Sequence, residues 1–406
     1  MDAAALERVY HAEATRIRAA LAVRLGDVGL AEDAVQDAFI EAIEHWRGGE
    51  IPANCGGWLA TTARRKAIDR LRRARVGQEK LALLAATMTE QLASGADSTD
   101  TEDDELLGMI FACCHPALPR ESQIALTLRA VCGLTTAQIA AAFLVAEPAM
   151  TQRLLRARKI LRSAGADGVR IPDPDHLAER LAEVLAVVYL VFNEGYLASA
   201  GRQPARRDLA AQAVTLARLL DRLMPREPEV AGLLALLLLH ESRAATRFDG
   251  WGRLVRLQDQ DRSAWNQPLI AEATRLLDQA IARRASGPYQ VQAAIAALHA
   301  QAEDYDHTDW RQIRLLYGRL QELTPSPVVL LNRAVATRYV QGPRAALAEI
   351  EPLADELDGY RLFHALRAGL LTGLGRDDEA RAASERALAL AGNPAERELI
   401  ARRLSF

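Results

Sequence analysis

Aromatic residues are scarce in this chain, at 5% of 406 positions, and there are only four cysteines. A core must therefore be built from aliphatic side chains, and half of the residues are apolar. No apolar run is long and uncharged enough to span a bilayer. The best, Val230 to His240, is too short and reads as a buried helix. The N-terminal MDAAALERVYHAEATRIR carries acids and has no apolar stretch, so it does not read as a signal peptide, and a cytoplasmic location with no membrane partner is expected. Alternating β-branched runs are few, and hairpin dipeptides are missing apart from Asp249-Gly250. There is no P-loop, no GxGxxG after a strand, no HExxH and no GxSxG, and no two carboxylates form a persuasive acid/base pair. The chain therefore does not read as an enzyme, and no cofactor is expected. Adjacent Cys113 and Cys114 do not suit a disulfide framework. His115 follows them, but neither CxxC nor HxxxH spacing is present, so small buried hydrophobes are expected rather than metal ligands.

What is abundant is alanine and leucine with helical periodicity, which predicts an all-α fold. The net charge of −3 excludes a uniformly basic nucleic-acid binder, but its distribution does not. Arg64, Arg65, Lys66, Arg70, Arg72, Arg73 and Arg75 form one basic cluster with Asp69 as its only acid. Arg153, Arg156, Arg158, Lys159 and Arg162 form a second with none.

Four segments are expected. Residues 1–76 carry helices over Leu6–Leu25, Leu30–Trp46 and Trp58–Leu71, with a glycine-rich loop at Arg47–Gly57. Residues 77–104 end in SGADSTDTEDD and read as a flexible acidic linker. Residues 105–165 carry helices over Glu121–Val131, Thr135–Phe143 and Glu147–Arg162. Residues 172–406 are helical and punctuated by proline. Within them Gly342–Leu347 and Gly375–Ala380 repeat at an offset of 33 to 34 residues, each between two apolar helices. That period suits a tetratricopeptide-like solenoid, capped by a helix over Ala395–Leu404.

Leu134 to Arg162 carries the sharpest local signal. Thr135 or Thr136 can cap a helix, Leu144-Val145-Ala146 makes a short turn, and Pro148 suits the first turn of a second helix. Leu154, Leu155 and Leu161 are expected to bury one side, with arginines facing out. This is a helix-turn-helix without a wing, and Glu147, Met150, Gln152, Arg153 and Arg156 fall where bases or phosphates would be met. An ordinary helical hairpin with a solvated basic face is the plainer alternative.

The second signal is AEDAVQDAFIEAIEHW followed by GGWLATTARRKAIDRLRRAR. Ala31 to Trp46 resembles the polymerase-binding helix of region 2 in extracytoplasmic-function (ECF) sigma factors, with Asp33, Gln36, Asp37 and Phe39 on matching positions. Trp58 to Arg73 resembles the part of region 2 that engages the promoter −10 element. The resemblance implies that Trp58, Arg64, Arg65, Lys66, Arg70 and Arg73 meet that DNA. Physical chemistry is consistent with this: the cations suit phosphates, and an aromatic ring can stack on an unpaired base. Taken alone, Trp58 could equally be packed in the core. Leu134 to Arg162 likewise resembles region 4, which reads the −35 element. Where the family usually has a Thr-Val-Lys-Ser-Arg type run, this chain has Ala149-Met150-Thr151-Gln152-Arg153, which bears on base specificity and not on the fold.

Phe111–Leu118, Phe192-Asn-Glu-Gly-Tyr196 and Leu257-Gln-Asp-Gln-Asp-Arg262 are similar to segments of a subgroup with a C-terminal tetratricopeptide extension. The resemblance implies a sigma factor whose partners are core RNA polymerase, through its β′ clamp and β flap, and promoter DNA. It also implies control by the extension, with a protein or ligand partner for it. In that extension His240, Glu241, Arg243, Arg247, Asp249, Asp259, Asp261 and Arg262 either line a groove or, as is commoner, pair across loops and cap helices. The alternative function is a helix-turn-helix repressor or activator with a repeat domain as sensor. It would not need the AEDAVQDAF and AIDRLRR segments.

Overall fold

The computed structural model describes residues 3–46, 52, 54–73, 99–143, 145–163, 169–196, 205–391 and 394–404. Among these the regular structure is helical, with one isolated β-bridge between Phe248 and Leu254. The chain divides into two compact units, Met1–Leu190 and Val191–Phe406.

The first unit opens with a bundle of α1 (Ala3–Leu25), α2 (Val28–Trp46) and α3 (Cys55–Arg73). Gly26, at φ +62°, ends α1, and the Asp27 carboxylate accepts the N–H groups of Gly29 and Leu30 at 2.9 and 3.0 Å to start α2. Ala31, Ala34, Val35, Ala38, Phe39, Ala42 and Trp46 recur three or four residues apart and are all buried, which sets the inward face of α2. Part of the expected glycine-rich loop lies outside the described residues. The rest is shorter than expected: Asn54 accepts the N–H of Gly57 at 2.8 Å, and Cys55–Gly57 already form the first turn of α3.

Next come α4 (Thr99–Cys113), α5 (Arg120–Ala130), α6 (Thr136–Ala142) and α7 (Glu147–Ser163). The expected linker is therefore helical from Thr99; its earlier part lies outside the described residues. Glu102 contributes to this, since a carboxylate in a first turn complements the helix dipole. α4 packs against α1 and buries Met109, Ile110 and Phe111 completely. Cys113 and Cys114 are buried beside them, and burial raises both thiols, Cys114 to about 11. Thr135 caps α6 in a reciprocal pair with Gln138, and α6 packs against α7 across a short turn.

Regions expected to be separate thus form one unit, and the boundary expected at residue 172 falls inside it. α8 (Pro174–Tyr196) runs through the division between the units. Its first half belongs with α4 and α5: Arg180 donates to the Phe111 carbonyl at 2.7 Å, Arg120 pairs with Glu183 at 2.6 Å, and Val169 just before it is buried. A chain ending at residue 190 is therefore expected to unfold at a higher temperature than one ending at residue 165. Equal melting curves by circular dichroism would show that residues 169–190 do not support the first unit.

The second unit continues with α9 (Arg207–Leu223), α10 (Pro228–Ser242), α11 (Gln267–Ala282), α12 (Pro288–Gln301), α13 (Trp310–Leu323), α14 (Pro327–Gln341), α15 (Pro343–Ile350), α16 (Ala354–Leu357), α17 (Arg361–Thr372), α18 (Asp377–Ala389) and α19 (Pro394–Leu404). Many of the punctuating prolines open helices, where the missing N–H costs nothing. α10 is apolar on nearly all sides and is wrapped by α9, α11 and α12. The repeat is real at the level of backbone: Gly342 and Gly375 stand at φ +88° and +73°, each between two packed helices. Leu331, Leu347, Ile350, Phe363, Leu370 and Leu371 form the core between those helices.

Candidate nucleic-acid interface

Arg64, Arg65, Lys66 and Arg70 lie on α3 and Arg153, Arg156, Arg158, Lys159 and Arg162 on α7, while Arg75 lies outside the described residues. On α3, Arg70 reaches across to α2 and pairs with Asp37 at 2.8 Å and Asp33 at 3.3 Å. Lys66 pairs with Glu41 at 2.6 Å, and Arg65 pairs with the same carboxylate. Arg70, expected at the −10 DNA, therefore meets Asp33 and Asp37, expected at polymerase, while Glu41, outside the expected set, takes the other two cations. Partial burial raises the Asp33 carboxyl, while Arg158 and Arg70 pull it down. Arg64 is half-buried, and burial together with nearby Arg24 lowers its pKa. Gln36 is half-buried on the same helix as these acids. The Arg73 side chain lies outside the described residues.

Trp58 is half-buried and packs on Trp46, with ring centroids 5.2 Å apart, and on His45 at 5.9 Å. Phe39 corrects the expectation for α2. It is only 5% exposed and fills the bundle core, so it supports the acidic surface instead of belonging to it.

On α7 the helix phase differs from the sequence reading. Met150, Leu154 and Ala157 form the buried face, four and three residues apart. Met150 has no exposed surface and is a core residue, not a base contact. Leu155, expected inside, is 55% exposed and stands among exposed Gln152, Arg156 and Lys159. An apolar side chain there can meet a thymine methyl, a contact the leucine spacing concealed. Glu147 is exposed at the N-terminal end of the same helix. Arg153 is half-buried, pairs with Glu121 at 2.8 Å and lies over the Phe143 ring at 5.4 Å. Arg156 has no ion-pair partner among the described residues. Arg156→Ala is therefore expected to weaken duplex binding about tenfold and to lower its salt slope by about one. A salt titration of binding measures both, and an unchanged slope would take Arg156 off the phosphates.

A further group was not legible in the sequence. Glu32 of α2 is 1% exposed, and its carboxylate takes both Arg129 of α5 and Arg158 of α7. Arg158 also reaches Asp33 at 3.6 Å, and Arg162 reaches Asp27 at 3.6 Å. On the other side of the unit, Arg16 pairs with Glu102 at 2.5 Å and Arg24 with Glu105 at 3.3 Å, and the Arg18 guanidinium donates to the Ala130 carbonyl. The first bundle and the helix-turn-helix are thus clasped by ion pairs around one buried carboxylate.

Such a helical unit, carrying a helix-turn-helix and a second basic helix set against an acidic one, defines a DNA-binding transcription protein. Residues 9–76 match the family described as Sigma-70 region 2, and residues 108–161 match Sigma-70, region 4. Residues 180–281 match a family of unknown function, DUF6596. The chain is 49% identical over 374 residues to Uncharacterized protein R00370 of Rhizobium meliloti (strain 1021), across 91% of this chain and 88% of that one. No solved structure matches. The chain belongs to the sigma-70 family, as an ECF-like sigma factor with an additional C-terminal helical domain.

Proposed function

We propose that this protein assembles with core RNA polymerase through the acidic surface of α2 and places α3 on the −10 element and α7 on the −35 element of its promoters. Its C-terminal helical unit controls when those surfaces are free. The observation that carries this reading is the presence of regions 2 and 4 in one chain, with Gln152 and Arg156 exposed on the recognition helix. A repressor or activator would need the second of these regions but not the first.

The clasp supports a two-state account of control. The centres of the two promoter elements are about 25 base pairs apart, or roughly 85 Å at 3.4 Å per step. Regions 2 and 4 in side-chain contact cannot serve both at once. The closed arrangement also occupies Asp33 with Arg70 and Arg158. Engagement of polymerase therefore exchanges Glu32–Arg129, Glu32–Arg158 and Asp33–Arg158 contacts for contacts to the enzyme and the DNA.

The test of the polymerase surface is gel filtration of the full chain with core enzyme. Asp33→Arg is expected to abolish co-elution while the variant keeps its helical circular dichroism. Normal co-elution of this variant would remove α2 from the interface.

A further inference from the structure

We propose that the C-terminal unit binds a small oxyanion, a carboxylate or a phosphate, in the cavity lined by His240, Arg243, Trp265 and His299. The cavity lies between the end of α10, the start of α12's last turn and the loop over residues 243–266, and it measures about 40 Å³. That exceeds the roughly 10–15 Å³ needed for one water and suits a group of a few heavy atoms. Leu239, Leu257, Ala296 and Ala300 complete its wall, and no carboxylate lines it.

The donors are arranged for a negative guest. Arg243 has no carboxylate partner among the described residues. Its guanidinium donates to the Nδ1 of His240 at 3.4 Å and lies 5.7 Å from the centroid of the Tyr196 ring. A guanidinium has five N–H donors, so most of its capacity is left over. His299 Nδ1 is buried and has no hydrogen-bond partner among the described residues. Its ring is fixed edge-on to Trp310 at 5.2 Å, and its backbone carbonyl is held by Arg262 at 2.6 Å. Burial and the neighbouring arginines keep His299 down at about 4 and His240 well below its usual value. Both imidazoles are then neutral near pH 7, so His299 can present one N–H to an acceptor at no cost in charge.

The surrounding charges favour the same guest. Arg262 donates to the carbonyls of His299 and Ala302 and to the Thr308 hydroxyl, and lies 5.3 Å over Trp265. The carboxylate acting on it, Asp304, is itself held by His307 at 2.8 Å. Partial burial raises the Glu241 carboxyl, which does not line the cavity. Arg243 is thus set among apolar lining residues, where an oxyanion is stabilised more than in water.

The experiment is isothermal titration of the full chain with inorganic phosphate and, separately, with acetate, against chloride at matched ionic strength. Saturable binding at one site is expected. Phosphate alone would identify a phosphate guest, and acetate alone a carboxylate. Arg243→Gln is expected to weaken the binding about ten- to a hundredfold, the loss for a charge-assisted donor. A second measurement uses the wild-type chain: the ¹⁵Nδ1 resonance of His299 should shift on titration with the anion that binds. No saturable binding of either anion, equal affinity in Arg243→Gln, or an unmoved His299 resonance would overturn the proposal.

Discussion

Glu32→Ala is expected to open the first unit. The carboxylate is buried between two guanidiniums from the other half of that unit, and its contact within its own helix is a long one, to Gln36 at 3.5 Å. Removing it leaves Arg129 and Arg158 close together with no shared counter-charge. Breaking a buried pair costs about 3–5 kcal/mol, enough to move a closed-to-open equilibrium by roughly a hundredfold or more. α4 stays packed on α1, so helical content should be unchanged and the change is confined to the separation of α2 from α5 and α7. The distance between spin labels at exposed positions 40 and 155 should lengthen and broaden in the variant. An unchanged, narrow distance distribution would show that Glu32 does not hold the two halves together.

Gly195→Ala is expected to destabilise the second unit severely. A Cβ at this position would stand 2.2 Å from the Ala210 nitrogen, 2.8 Å from the Arg206 carbonyl oxygen and 2.9 Å from the Ala210 Cα. These are backbone atoms and cannot swing aside. The approach is sealed by the Arg206 N–H, which donates to the Gly195 carbonyl at 2.8 Å. Overpacking of this kind costs at least the upper end of about 1–3 kcal/mol, or roughly 5–10 °C in melting temperature for a unit of this size. Gly318→Ala in α13, where a Cβ would meet nothing within 4 Å, is the matched control and should be neutral or slightly stabilising. Equal melting temperatures for the two variants would contradict the packing argument.

Much of this architecture could be read from residue order, for identifiable reasons. Periodicity placed α2, α5, α6 and α7 within a few residues, because each has an apolar stripe bounded by a cap, a glycine or a proline. The Thr135 cap and the Pro148 start followed from local chemistry alone. The Phe192–Tyr196 segment carried its meaning in Gly195, and Leu257–Arg262 carried its own in loop contacts: Arg256 pairs with Asp259 at 2.6 Å, and Asp261 accepts the Ser263 N–H at 2.9 Å. Asp259 and Asp261 thus pair within the loop and cap a turn, whereas His240 and Arg243 line a cavity.

The failures are tertiary. Met150 and Leu155 exchanged places because three leucines defined the apolar side of α7, whereas the packed face follows Met150, Leu154 and Ala157. Phe39 was assigned to a surface by its position in a motif, and the bundle buries it. In the sequence Glu32 is one acid among several along α2. Only the approach of Arg129 and Arg158, about a hundred residues further on, makes it the centre of a clasp.

The most direct test of the central claim is run-off transcription with purified core polymerase and DNA fragments selected by binding to the reconstituted complex. Promoter-specific transcripts that require this protein are predicted. If the protein fails to assemble with core polymerase and yet binds specific duplexes alone, the sigma-factor account is contradicted and a helix-turn-helix repressor or activator takes its place.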